Sequence, residues 1–207
     1  MINILSICGS PVEGSSTEFL LRRIAESVSA NLRHDRARHR LIRLNDLDFA
    51  PCQACGEAPT PSWCFLDDGL SDAYKQLAAC DCLLFGSPIY FDSVSAQAKA
   101  FIDRCNCFRP PDFDNRNPQH DFIKLIGRKR PGAIVLVGGE QGWFEGARRC
   151  IAGFFKWIEV VNEGVLVFRS TDFTCAGEAA DNPNITEDAG RLGRHLARLL
   201  DKQYAKR

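Results

Sequence analysis

Ile2-Asn3-Ile4-Leu5-Ser6-Ile7-Cys8-Gly9-Ser10-Pro11-Val12-Glu13-Gly14-Ser15-Ser16-Thr17 carries the decisive signals of this chain. An apolar strand over Ile2–Ile7 runs straight into a loop of Gly, Ser and Thr, and the loop opens an amphipathic helix. The first amides of a helix have no internal partners and carry partial positive charge, so a strand–loop–helix join of this kind makes an anion site. Gly9 and Gly14 have the spacing of a Walker loop, but Ser15-Ser16 stands where Lys-Ser/Thr would be needed to reach a β- or γ-phosphate. A Gly-x-Gly-x-x-Gly pattern for a pyrophosphate is also missing. Hydroxyls and amides without a cation suit a single terminal phosphate. Ser15-x-x-Glu18 also reads as a capping box, which explains Ser15 and Glu18 but not the Gly-Ser-Pro turn before them.

Composition narrows the class. The chain has 207 residues, is 45% hydrophobic and balances 26 basic against 26 acidic side chains. That length fits one large α/β domain over residues 1–207. Two short basic patches, Arg36–Arg43 and Arg128–Arg130, read as solvated faces, so no nucleic-acid partner is expected. No apolar run is long enough for a membrane span, and the N-terminal strand lacks the flanks of a signal peptide. The expectation is a soluble, cytoplasmic protein with no membrane partner. Its ten cysteines are then expected as thiols. Cys8, Cys80, Cys82 and Cys150 read as small core residues, while Cys52, Cys55 and Cys64 stand apart.

Strand and helix signals alternate. Strands are predicted at Ile2–Ile7, Arg40–Leu44, Cys82–Phe85, Ala133–Val137 and Val160–Phe168. Helical spacing marks Thr17–Leu32, Leu66–Ala79, Ser95–Cys107, Glu145–Ile158 and a final helix through Ile185, Ala189, Leu192, Leu196 and Leu199. The fold class is α/β, a doubly wound parallel sheet of five strands. The stretch from Phe108 to Arg130 is too long for an ordinary connection and reads as a lid or a contact with a partner subunit.

In such a sheet a ligand sits at the carboxyl ends of the strands. Besides the first loop, two strand ends carry unusual sequence: Gly86-Ser87-Pro88-Ile89-Tyr90-Phe91-Asp92-Ser93-Val94-Ser95 and Gly138-Gly139-Glu140-Gln141-Gly142-Trp143-Phe144-Glu145. Small residues there let the backbone approach a ligand, and Tyr, Phe and Trp can pack on a flat ring.

With these residues in view, the chain resembles the flavodoxin-like NAD(P)H-dependent FMN reductases, in the branch related to the iron–sulfur flavoproteins. Three stretches carry the resemblance: Gly9-Ser10-Pro11 with Ser15-Ser16-Thr17, Pro51-Cys52-Gln53-Ala54-Cys55, and the run from Gly86 to Arg104. The likeness implies a flavodoxin-like sheet of order 2-1-3-4-5 with FMN at the switch point. It places Ser10, Ser15, Ser16 and Thr17 at the phosphate. Pro88, Ile89, Tyr90 and Phe91, with Ser93 and Val94, would line the isoalloxazine and ribityl chain. Gly138, Gly139, Gln141, Gly142 and Trp143 would lie near the ring edge. Lys99 and Asp103 match the same run but read better as an i,i+4 ion pair. It also implies a homodimer or homotetramer, with Phe108, Phe113 and Phe122 supplying apolar contact.

The cysteine loop departs from that branch, which carries four cysteines there. This chain has Cys52-x2-Cys55-x8-Cys64, which is three. A four-iron cluster takes four Cys ligands, so no iron–sulfur cluster and no metal ligand are expected from the loop. None of the four histidines falls in the three loops, and no catalytic acid or base is named. The functional expectation is an FMN-dependent oxidoreductase taking electrons from NADH or NADPH and passing them to a quinone, a flavin or another small-molecule acceptor. The alternatives are a flavodoxin-like electron-transfer protein or iron–sulfur flavoprotein without nicotinamide activity, and a redox sensor using Cys52 and Cys55. Neutral net charge disfavours an acidic docking carrier.

Overall fold

The computed structural model describes residues 1–33, 36–55, 64–108, 126–172 and 175–205. Its strands are β1 (Ile2–Cys8), β2 (Ala37–Arg43), β3 (Cys82–Tyr90), β4 (Ser93–Val94), β5 (Arg130–Gly139) and β6 (Val160–Ser170). Five helices separate them: α1 (Ser16–Asn31), α2 (Ser71–Ala79), α3 (Ala96–Arg104), α4 (Glu145–Trp157) and α5 (Pro183–Tyr204). The sheet order is β2-β1-β3-β5-β6, every pair parallel, with β4 turned back antiparallel on the end of β3. This is the predicted 2-1-3-4-5 order, with the small β4 inserted in the count.

The alternation of side chains along each strand divides the core in two. Leu5, Ile7, Leu83, Phe85, Ile134 and Leu136 face α2, α3 and α4, where Tyr74, Phe101 and Phe154 close the layer. Ile2, Ile4, Cys82, Leu84, Ala133 and Val135 face α1 and α5. Phe85, Phe101 and Phe154 meet at centroid separations of 5.6–6.2 Å, within the range of favourable ring pairs.

Several boundaries differ from the sequence reading for identifiable reasons. The second strand starts at Ala37, earlier than Arg40, because β2 is an edge strand that keeps polar side chains on its open side. The second helix starts at Ser71 rather than Leu66, because Asp68 and Gly69 form a turn in which Asp68 Oδ1 accepts from the Leu70 amide at 3.1 Å. The third strand runs through Tyr90, since Ser87 and Pro88 continue to pair beside β5. The third helix ends at Arg104, and Cys105–Phe108 tightens into a 3-10 turn. Cys8, Cys80 and Cys82 are buried as expected, but Cys150 is only half-buried. Phe108 is not an exposed loop aromatic: it is 4% exposed and packs edge-on against Tyr74 with centroids 5.8 Å apart. Phe113 and Phe122 lie outside the described residues.

Candidate functional site

The carboxyl ends of β1, β3 and β5 lie side by side, so the topology gathers the three loops. The Gly9 amide donates to Gly86 O at 2.8 Å, and Ser95 Oγ donates to Gly9 O at 2.6 Å, which fastens the first loop to the second. A Cβ on Gly9 would meet the Ala98 Cβ at 2.8 Å, so only glycine permits this approach. Gly14 has φ +66°, the left-handed turn that releases the chain into α1. Under the loop, burial pushes the Cys8 thiol up to about 11 and keeps it neutral.

Three of the four hydroxyls expected at the phosphate are already engaged. Ser10 Oγ closes a local turn, accepting from the Val12 amide at 3.2 Å. Ser15 Oγ caps α1 by accepting from the Glu18 amide at 3.3 Å. The Glu18 carboxylate accepts from Gly14 at 3.2 Å, one residue earlier than a capping box reaches. The Ser16 amide and hydroxyl both donate to Ala176 O, at 2.5 and 3.0 Å, and Ser16 Oγ accepts from Ala179 at 3.0 Å. Thr17 is buried, with its methyl under Gly86. The Thr17 amide, second in the helix, has no hydrogen bond to another described residue. With the Val12 and Gly14 amides turned onto Ser10 and Glu18, this helix-start amide is what the loop offers to an anion.

The sequence reading also missed a cation here. Arg43, at the end of β2, sits 3.4 Å from Glu13, 3.8 Å from Glu18 and 3.4 Å from Asp46. These carboxylates neutralise it and fix the loop from below. Nothing in a lone arginine at a strand end gives this away.

The second and third loops enclose a cleft of about 450 Å³ lined by Ile89, Phe91, Asp92, Gly139, Glu140, Gln141, Gly142, Ser170 and Thr171. Five of the expected residues line it: Ile89, Phe91, Gly139, Gln141 and Gly142. Pro88, Tyr90, Ser93, Val94, Gly138 and Trp143 sit beside it on the same loops and strand ends, and the Ser10–Thr17 loop lies apart from it. Phe91 and Asp92 form the two-residue turn between β3 and β4, both at positive φ (49° and 58°). Phenylalanine there costs about 1 kcal/mol or more of backbone strain and leaves the ring fully exposed. Trp143 is exposed as well, at 73%.

Asp92, Ser170 and Thr171 were not foreseen. Ser170 ends the edge strand β6 and Thr171 follows it, away from the switch point, and their hydroxyls donate to Glu178 at 2.5 and 2.6 Å. Those bonds, with the amides of Thr171 and Asp172, hold the Glu178 carboxyl down at about 2. Arg169 Nη1 donates to the carbonyls of Glu140 and Gly142 at 2.6 and 3.2 Å and lies over the Phe144 ring, 4.6 Å from its centroid. It therefore sets the shape of the third loop. The Lys99–Asp103 pair forms at 2.8 Å, on the helix surface. Among the described residues no three His, Cys, Asp or Glu side chains are gathered closely enough to hold a metal ion, and no helix is long and apolar enough to cross a membrane.

Residues 2–166 match the family described as NADPH-dependent FMN reductase. The chain belongs to that family. A relative, an iron–sulfur flavoprotein of Methanocaldococcus jannaschii, is 28% identical over 204 residues, covering 96% of this chain and 97% of its own. The archaeal iron–sulfur flavoproteins are thus the branch that the sequence motifs indicated. Among solved structures, an NADH:FMN oxidoreductase superposes with a TM-score of 0.62 at 17% identity, over 95% of this chain and 89% of that one. A flavodoxin from the Archaea gives 0.55 at 13% identity, over 96% and 99%. The fold is flavodoxin-like, and this member of the FMN reductase family is an FMN-dependent oxidoreductase. Its residues fit the cofactor in kind: a strand–loop–helix join with a helix-start amide left for one phosphate, and an aromatic, glycine-bordered cleft for a flat ring.

Proposed function

We propose that the protein takes a hydride from NADH or NADPH and passes electrons to a quinone, a flavin or another small acceptor. The observation that carries this reading is the open cleft of about 450 Å³ between the second and third loops, beside the strand ends. Bound FMN supplies the hydride acceptance and the electron transfer. The chain supplies placement. Backbone amides of the first loop, with Ser10, Ser15, Ser16 and Thr17 shaping it, hold the phosphate. Pro88, Ile89, Tyr90 and Phe91 flank the ring, with Ser93 and Val94 turning the hairpin beneath them. Gly138, Gly139, Gln141, Gly142 and Trp143 border its edge, and the exposed rings of Phe91 and Trp143 are positioned to cover a substrate. No side chain needs to move a proton, because hydride transfer between stacked rings requires orientation alone.

The protein acts as a homodimer or homotetramer in this reading. Trp157, Val161 and Val167 leave apolar surface exposed along the edge strand β6 and the end of α4. Light scattering at working concentration checks this, and a monomer mass refutes it.

Anaerobic mixing with NADH and with NADPH tests the activity: bleaching of the flavin absorbance within a turnover time supports it. Flavin released on denaturation should be FMN, and FAD as the main species overturns the single-phosphate assignment. A second reading is an electron-transfer flavoprotein without nicotinamide activity, favoured by the names of the archaeal relatives. It predicts a flavin that neither nucleotide bleaches but a protein or chemical donor does.

A further inference from the structure

Arg169 stands between two open spaces. On one side is the cleft bordered by Gly142, Ser170 and Thr171. On the other, a groove of about 560 Å³ lies between the end of β6 and the start of α5. The guanidinium is fixed by Nη1, which donates to Glu140 O and Gly142 O, and by the Phe144 ring against its face. Its Nε and Nη2 have no acceptor among the described residues, and none of the described carboxylates pairs with it. A guanidinium oriented in this way presents a fork suited to phosphate oxygens. The facing wall supplies more donors. Asn182 Oδ1 accepts from the Asn184 and Ile185 amides at 3.1 and 3.2 Å, which leaves its amino group to donate. The Asn184 side chain is exposed and makes no hydrogen bond to another described residue. The 22-residue helix α5 begins here and adds its positive end. Asp188, the acid on this wall, is engaged by Arg191. Phe144, Phe168 and Ile185 give the groove apolar surface on which a base can lie.

We propose that this groove seats the adenosine diphosphate half of NADH or NADPH, with Arg169 on the pyrophosphate. The occupant rests on the nicotinamide reading above. Arg169 and Ser170 are consecutive, and Gly142 lines the cleft while accepting from Arg169, so a dinucleotide with its nicotinamide in the cleft meets this cation next. The donor is then held at two places, the cleft and the groove. A quinone or other small flat acceptor has no diphosphate and is held at the cleft alone.

The FMN-loaded full chain is titrated by calorimetry with adenosine diphosphate, which carries the diphosphate and adenine but no nicotinamide, and NADH is added as competitor. Wild type should bind adenosine diphosphate, and NADH should displace it. Arg169→Gln should weaken that binding about tenfold or more, the cost of losing hydrogen bonds to a charged group. Because Arg169 also shapes the third loop, Asn184→Asp serves as a second variant. It puts a carboxylate in the groove without touching that loop, and an acid suits the first turn of a helix, so the fold is kept. The same loss is expected there, with FMN bound per chain reporting the folded fraction of each variant. No binding to wild type overturns the proposal, as does an affinity unchanged in either variant or bound adenosine diphosphate that NADH does not displace. Anaerobic mixing with NADH separates this inference from the reading beneath it. Flavin bleaching without adenosine diphosphate binding sinks the groove and leaves hydride transfer standing. Displacement by NADH without bleaching keeps the groove and sinks hydride transfer.

Discussion

Asp92 Oδ1 accepts a hydrogen bond from the Trp143 amide at 3.0 Å, joining the turn after β3 to the loop after β5. The bond ties together the two loops that line the cleft, so it helps to set their spacing. Asp92→Ala should raise the FMN dissociation constant about tenfold, the lower end of the 1.5–3 kcal/mol that a charge-assisted hydrogen bond carries, because the carboxylate is exposed. Flavin fluorescence titration measures this. An unchanged constant would show that the two loops keep their spacing without Asp92.

Ser16 and Thr17 provide the second prediction. The double change Ser16→Ala, Thr17→Val removes the two hydroxyls that shape the first turn of α1 and should weaken FMN by about one to two decades without unfolding the chain. Ser16 also anchors Ala176 and Ala179, so some loss of thermal stability should accompany it. A lower Tm with unaltered FMN affinity would mean that these hydroxyls serve the fold alone.

The third concerns acid. Ser6 Oγ and His39 Nε2 lie 2.8 Å apart between β1 and β2. Burial, then the nearby Arg22 charge, lowers the His39 pKa from 6.5 to about 4. The folded state therefore prefers the neutral ring. In the window between about 4 and 6.5 the unfolded chain binds more protons, so stability is full above 6.5 and falls as pH drops toward 4. Urea midpoints between pH 4 and 7 should show this slope, and His39→Gln should flatten it. Equal slopes in the two proteins would sink the assignment.

Fourth, the triple change Cys52→Ser, Cys55→Ser, Cys64→Ser should leave FMN bound and reducible by NADH or NADPH, since hydride transfer needs no thiol. Anaerobic reduction of the purified variant checks it. If the flavin is reduced but no acceptor then oxidises it, the loop is part of the electron path.

What the sequence made legible follows its local rules. Apolar runs such as Cys82–Phe85 and Ala133–Val137 mark strands buried on two faces, and their alternation with helical periods yields the parallel order. The hairpin at Phe91-Asp92 was not legible, because phenylalanine is no turn former and its positive φ is imposed by the pairing of β4 on β3. Nor was the engagement of Ser16, whose partner at Ala176 lies 160 residues away. Arg43 and Arg169 likewise act through carboxylates and carbonyls that only the folded chain brings near. The loops could be chosen from their composition, whereas the direction of each hydroxyl depends on distant backbone.

The match to the FMN reductase family stops at residue 166, inside β6. Yet α5 lies wholly beyond it and covers α1: Ser27 Oγ donates to Gly190 O at 2.8 Å, and a Cβ on Gly193 would come within 2.5 Å of the Ser27 Cβ. Leu20, Ile24 and Val28 share their core with Ile185, Leu196 and Leu200. The segment matched by the family model is therefore smaller than the portion that must fold together. A fragment cut at residue 166 would bare an apolar helix face and slacken the first loop, so transplanting this flavin scaffold into another protein requires the last helix along with the body that the family model matches.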